Sequence, residues 1–314
     1  MKTIVLGPPG TGKTTTLLNL VDKYLKQTDP NKIGYFAFTQ KAAYEARDRA
    51  VAKFNLSEDD LPYFRTLHSL AFRRLGIQKQ NVMQKRHYAD LGNKLGFPVD
   101  YEENDQEMNG IFSTKSDYLR ILQLAKLRNI SFEKQYDLKE HTQDVEFDKL
   151  KIIAHELERY KKEYGLVDFN DMILKFIESD ASPKFDVVFV DEAQDLSLMQ
   201  WDMVKTIWNK TANNYIAGDD DQAIFKWAGA DVDSFIALDG KFINLTQSYR
   251  IPAKIHDIAM KIIGKINNRI PKLWKPKMKQ GKVSIYSDFR DIDMSQGEWL
   301  ILARTRSLLD ELEE

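Results

Sequence analysis

Short apolar runs alternate along this chain with longer stretches whose apolar residues recur at helical spacing. "TIVLG" opens as a buried strand that stops at a glycine-rich turn, and "KTTTLLNLVDKYL" continues as an amphipathic helix. The unit repeats: "KIGYFAFT" is a second strand, followed by a helix through "QKAAYEARDRAVAKF". "YFRTLHSLAFRRLG" reads as a strand end running into a helix. Between about 77 and 163 the pattern turns helical and polar, with an acidic loop, "DYEENDQE". Leu150, Ile153, Leu157 and Tyr160 recur there at helical intervals, so the stretch is expected to be an inserted helical subdomain. Strands return in "FDVVFVDEAQD" and "NNYIAGDDDQ", each an apolar run that ends in acids. Alternating strands and helices predict an α/β fold, a parallel sheet with helices on both faces. Ligands of such sheets bind at the carboxyl ends of the strands, where the glycine- and acid-rich turns fall.

After about Tyr249 the pattern gives a basic helix, then expected strands in "KVSIYSDF" and "GEWLILARTR", the beginning of a second α/β domain. The expected division is 1–76 with 164–248 as a discontinuous first domain, 77–163 as the insertion, and 249–314 as the incomplete second domain. No internal repeat or low-complexity tract interrupts this order.

Composition narrows the picture. Of 314 residues, 43% are apolar and 30% charged, a globular profile with enough length for about two domains. There is no cysteine, which excludes disulfides and thiolate metal sites and is compatible with a reducing, cytoplasmic setting. No apolar run approaches the roughly 20 residues that span a bilayer, and the amino terminus is too short in apolar residues for a signal peptide. Lys and Arg number 46 against 47 acids, but ten of the cations fall between Arg250 and Lys282 with one acid, Asp257. That run is either a solvated face or a surface that tracks phosphates.

The chemistry begins at "GPPGTGKT", Gly7 to Thr14, which fits G-x-x-x-x-G-K-[ST] between a strand and a helix. Gly10, Thr11 and Gly12 let the backbone close around phosphate, and Lys13, Thr14 and Thr15 open the helix whose amides point at it. Lys13 supplies charge to the β- and γ-phosphates, and the Thr14 hydroxyl suits Mg²⁺. Downstream, "VVFVDEAQD" places Asp191 for an outer-sphere Mg²⁺ role and Glu192 to orient and deprotonate an attacking water.

Further segments resemble the UvrD/Rep-type superfamily 1 DNA helicases, in that family's order. "VDEAQD" resembles its motif II, "YFAFTQKAAYEARDR" motif Ia, and "RTLHSLAFRRL" motif Ib. "YGLVDFNDMI" is similar to the segment that returns the chain from the helical insertion. "AGDDDQAIFKWAGAD" resembles motif III and "LTQSYRIPAKI" motif IV, while "KLWKPKMKQGKVSIY" and "WLILARTRSLLDELEE" resemble the early second motor domain.

The resemblance implies a RecA-like motor that couples Mg-ATP hydrolysis to movement on single-stranded DNA, 3′ to 5′, acting on single strands or on single/double-strand junctions. It implies that Gln222 contacts the γ-phosphate, that Tyr249 stacks on adenine, and that Arg250 is an arginine finger, an element worth ~10³–10⁵ in rate. It also implies that Phe38, Thr39, His68, Phe225 and Trp227 line a single-strand track, where stacking contributes roughly 1–3 kcal/mol per base. From the residues alone, Phe38 and Phe225 read first as core, and His68 as a helix cap or a histidine that satisfies a neighbouring carbonyl.

The chain departs from the family in three ways. The segment that usually precedes the phosphate loop and reads adenine is expected to be missing, Ala228 and Leu67 replace a usual arginine and aromatic, and motifs V and VI are not found in these 314 residues. The expectation is therefore an N-terminal helicase part whose second motor half is supplied in cis or in trans, with ATP and single-stranded DNA binding retained and unwinding weak or absent. Two other readings stand beside it: an ATP-gated switch that binds single strands without motor activity, and a phosphate-loop NTPase acting on another substrate.

Overall fold

Apolar strands of five or six residues cannot satisfy their own backbone groups and must pair. In this computed structural model, which describes residues 1–97, 99, 114, 116–141, 144–303 and 307–310, they do so in parallel. Strands β1 (Lys2–Leu6), β2 (Ile33–Ala37), β3 (Phe64–Arg65), β4 (Val187–Asp191), β5 (Asn213–Gly218) and β6 (Lys241–Asn244) form one sheet. Its order is β3-β2-β4-β5-β1-β6, with every pairing parallel. All six carboxyl ends therefore share one edge, and the loops that leave them meet there.

Both faces of the sheet are covered. Helices α1 (Lys13–Leu25) and α2 (Gln40–Phe54) pack on one face, over Val5, Tyr35, Ala37, Val187, Phe189 and Ala217. The alternate strand residues Ile4, Leu6, Phe36, Val188, Val190 and Ile216 point the other way, as the two-residue period of a strand requires. Helix α3 (Leu67–Arg74) begins that second layer. Four helices then depart from the sheet: α4 (Lys85–Leu95), α5 (Asp117–Leu127), α6 (Phe132–Asp137) and α7 (Phe147–Tyr164). They bury Leu119, Ile121, Leu150, Ile153, Leu157 and Tyr160 in a core of their own. Helices α8 (Phe169–Glu178), α9 (Leu198–Trp208) and α10 (Val232–Ile236) complete the second layer.

A buried charge cluster joins the helical core to the sheet. Lys161 Nζ donates to Asp168 at 2.8 Å, Asp171 at 2.7 Å and Glu158 at 2.8 Å, and Lys126 reaches the same three carboxylates. Asp168 also caps α8, accepting from the Asp171 amide at 2.8 Å. Burial by itself would raise the Asp168 pKa, but Lys126 and Lys161 together hold it well below the ordinary carboxylate range.

The chain continues through β7 (Gln247–Pro252), α11 (Ala253–Ile263) and β8 (Lys275–Lys277), with β7 and β8 paired in parallel, and α12 (Ser307–Asp310) follows. The strands expected in "KVSIYSDF" and "GEWLILARTR" do not form within described residues 282–288 and 298–303. Ile285, Leu300 and Leu302 are exposed there. Their apolar alternation is not enough, because a strand persists only when another strand completes its ladder, and no described residue does so. The acidic loop expected at 100–107 lies outside the described residues. No helix among the described residues is long and apolar enough to cross a membrane.

Candidate nucleotide and nucleic-acid site

The glycine-rich turn leaves β1, which lies between β5 and β6, at the carboxyl edge. The Gly7 amide donates to Gly218 O at 3.1 Å, which ties the turn to β5. Gly10 and Gly12 have φ of 71° and 88°, the left-handed region that favours glycine, and the chain enters α1 directly afterwards. The Lys13 side chain folds back across Gly7. A Cβ at position 7 would lie 2.1 Å from Lys13 Cγ, and Lys13 Nζ donates to Gly7 O at 3.0 Å. Thr11 Oγ1 donates to Pro8 O at 2.7 Å, which closes the turn, and Thr14 and Thr15 stand in the first turn of α1.

β4 places its two acids beside this helix start. Asp191 Oδ2 accepts from Thr14 Oγ1 at 2.9 Å and from Tyr35 OH at 2.8 Å, while Oδ1 accepts from the Glu192 amide at 3.0 Å. Burial, and then the charge of Glu192, push the Asp191 carboxyl above its ordinary value. Burial and Asp191 likewise push Tyr35 well above the usual phenol range, so it remains a donor. Tyr35 reads from the sequence as a core strand residue. Only the pairing of β2 with β4 shows that its hydroxyl reaches the acid.

Glu192 has φ of 51°, a left-handed backbone that costs a residue with a side chain on the order of 1–2 kcal/mol. The turn directs its carboxylate back over the phosphate loop, where Oε2 lies 3.5 Å from Lys13 Nζ and accepts from Gln194 Nε2 at 3.0 Å. The phosphate-loop and acid motifs give no role to buried Gln194, although its place in "DEAQD", two positions past the glutamate, is a usable signal.

The chain's own donors fit Mg²⁺. A hydroxyl and a buried carboxylate beside a phosphate loop suit a hard cation that takes few protein oxygens and completes its shell with phosphate and water. No cluster of three or more metal-ligating side chains is present among the described residues, and a site of that kind does not need one.

β7 crosses in front of the loop. Ser248 Oγ donates to Pro9 O at 2.7 Å, and the Tyr249 amide donates to Gly10 O at 2.9 Å. A Cβ on Gly10 would lie 2.3 Å from Arg250 Cβ, so Arg250 is rooted against the phosphate loop. The Tyr249 ring is 75% exposed beside it. At the end of β5, Gln222 Nε2 donates to Asp219 Oδ2 at 2.6 Å. Lys13, Thr14, Asp191, Glu192, Gln222, Tyr249 and Arg250 thus converge on one edge, although they are spread over most of the chain.

The aromatic positions divide. Trp227 is 65% exposed, and its ring lies 6.5 Å from half-buried Phe225. Phe38, expected on the single-strand track, is a core residue 4% exposed whose ring packs 5.5 Å from Phe225. Its position on the inward face of the strand end decides this. His68 is closed off as well: α3 turns it inward against Phe169, at 5.9 Å between rings, with neither ring nitrogen hydrogen-bonded. Burial depresses its pKa to about 4. Thr39 spends its hydroxyl on the α2 cap, accepting from the Ala42 amide at 3.0 Å. Leu67 and Ala228, which replace a usual aromatic and arginine, are both buried, so at these positions the chain packs rather than reaches out.

A parallel sheet with a glycine-rich phosphate loop, an acidic strand end and an α1 helix behind them defines a RecA-like phosphate-loop nucleotide-binding fold. The model of the UvrD/REP helicase N-terminal domain matches residues 1–243, and the chain belongs to that family. It is 28% identical to DNA helicase II of Haemophilus influenzae over 92% of this chain and 42% of that protein. It is 26% identical to ATP-dependent DNA helicase PcrA of Bacillus subtilis over 95% of this chain and 42% of that protein. The chain therefore spans about two fifths of the length of the curated relatives it matches.

Proposed function

We propose that this chain is the ATP-hydrolysing part of a UvrD/Rep-type DNA motor, coupling Mg-ATP turnover to movement on single-stranded DNA in the 3′ to 5′ direction. The observation that carries this reading is the packing of Ser248, Tyr249 and Arg250 directly on the phosphate loop. A phosphate loop alone binds nucleotides. One covered by an arginine-bearing strand from a later segment can sense and stabilise a transferred phosphate.

In this reading Lys13 neutralises the β- and γ-phosphates, and the amides of Gly10 to Thr14 hold their oxygens. Thr14 and Asp191 would hold Mg²⁺, which neutralises charge between the phosphates. Glu192, fixed by Gln194, orients the attacking water and takes its proton. Gln222 contacts the γ-phosphate, and Arg250 meets the charge that develops on it. The Tyr249 ring is the stacking surface for the base. Single-stranded DNA would bind at exposed Trp227 and neighbouring Phe225, five and three residues past Gln222. Phe38 supports the Phe225 ring from behind, and His68 has no place in the track.

Linkage between the two ligands tests the reading. Binding of labelled single-stranded DNA, measured with and without a non-hydrolysable ATP analogue, should change severalfold, and the analogue's affinity should change reciprocally. Binding of neither ligand, or binding of both without coupling, would contradict the proposal. ATP-gated DNA binding with no turnover would identify a switch rather than a motor. An RNA strand run in parallel decides between the two nucleic acids, because stacking reads neither sugar nor sequence.

A further inference from the structure

Three consecutive carboxylates at a strand end repel one another, and burial strengthens the repulsion. Asp219 and Asp220 are buried, and the Asp221 side chain is nearly so. Their counter-charge comes from much further along the chain. Lys272, with its side chain 3% exposed, lies 3.1 Å from Asp219 and 3.1 Å from Asp221 and also pairs with Asp220. Arg269 donates to Asp221 as a fork, at 2.6 and 2.7 Å, and the Ile270 amide donates to Asp220 at 2.7 Å. Two cations of the basic run are therefore neither a solvated face nor a phosphate track.

Asp219 links this clamp to the nucleotide site. Its carboxylate accepts from Gln222, and its amide donates to Gln194 Oε1 at 3.0 Å. Gln194 in turn donates to Glu192. Glycine at 218 is required for this seat, because a Cβ there would lie 2.7 Å from Gln194 Oε1. Burial leaves the Asp219 carboxyl above its ordinary value even with Lys272 beside it, so its charge depends on that ammonium. On the other side, Lys272 leads into β8, where Lys275 stands opposite Gln247 of β7, the strand that carries Tyr249 and Arg250.

We propose that Lys272, assisted by Arg269, is a positioning residue for catalysis: it holds Asp219, and through it Gln222 and Glu192, in register with the strand that bears Arg250. The inference rests on the functional reading above, in which Glu192, Gln222 and Arg250 act on ATP. It assigns the alignment of those groups to a single ammonium that touches none of the nucleotide.

Steady-state ATP hydrolysis by the whole chain tests it, with wild type, Lys272→Met, Arg269→Ala and Glu192→Gln compared and the fold of each checked by circular dichroism. The expected result is a kcat lower by about tenfold in Lys272→Met and about threefold in Arg269→Ala, with KM for ATP within about twofold of wild type in both. If Lys272→Met does not fold, Arg269→Ala decides alone, since it leaves Lys272 to neutralise the carboxylates. Wild-type kcat in the folded variants, or a loss explained by a raised KM, would overturn the positioning role while Glu192→Gln remains inactive. A wild type that turns over no ATP, or a Glu192→Gln variant as active as wild type, would instead remove the functional reading and this inference with it.

Discussion

His68 provides a quantitative check on how the second helical layer closes over the sheet. The imidazole is buried against Phe169 with no hydrogen-bond partner at either nitrogen, and its pKa falls from 6.5 to about 4 because burial penalises the charged ring, with Asp168 offsetting part of that. The unfolded chain therefore takes up this proton at a higher pH than the folded protein. Stability from the neutral ring is fully present above about pH 6.5, declines as the pH drops through the window, and is lost near 4. A gap of this size is worth about 3 kcal/mol in all, of which about 2 kcal/mol falls between pH 7.5 and 5. The depressed Asp168 carboxyl works in the same direction, but its share disappears only below the ordinary carboxylate range, so it does not confuse that interval. Urea denaturation of wild type and His68→Met at several pH values isolates the effect. The variant should show about 2 kcal/mol less pH dependence between 7.5 and 5. Parallel curves would mean that the ring is open to solvent in the folded protein, which would restore it as a candidate nucleic-acid contact.

Three other perturbations follow from the packing. Gly10→Ala should weaken nucleotide binding at least tenfold, because its Cβ meets Arg250 Cβ at 2.3 Å and the φ of 71° disfavours it; unchanged binding in an ATP-analogue titration would refute the packing of β7 on the loop. Lys161→Met should lower stability by about 3 kcal/mol in urea denaturation, because Lys126 alone must then neutralise Asp168 and Asp171; a loss below about 1 kcal/mol would show that Lys126 suffices. Trp227→Ala should weaken single-stranded DNA binding by about 1–3 kcal/mol in a fluorescence titration while ATP-analogue affinity stays unchanged, and equal loss of both would make the tryptophan structural.

The sheet was legible where a local pattern carried it. β1, β4 and β5 are apolar runs stopped by glycine or acid, β2 is one that ends at the Thr39 cap, and α2 runs from that cap to the left-handed Asn55, as its sequence suggests. β6 was not legible, because its residues are mostly exposed and show no alternation that separates them from a loop. The phosphate loop and the two acids of β4 could be read because their chemistry is concentrated in a few adjacent residues. Tyr35, Gln194 and Lys272 could not, because each gains its role from a partner on another strand or segment. Nothing local separates Lys272 from the nine other cations of its run; only the buried carboxylates of Asp219 to Asp221 do. Phe38 and His68 differ in the opposite direction, being buried where the resemblance implies contact with a strand. The resemblance specified positions on a track, while the inward faces of the β2 end and of α3 decided what those side chains could touch.

The central claim is that this edge of the sheet hydrolyses ATP under the influence of single-stranded DNA, and phosphate release measures it directly. Wild type and Glu192→Gln should be assayed with and without an unstructured oligonucleotide, alongside binding of an ATP analogue to each. The account predicts DNA-stimulated release in wild type, a fall of at least about a hundredfold in Glu192→Gln, and undiminished nucleotide binding in the variant. Release that ignores DNA, or that survives in Glu192→Gln, would contradict it.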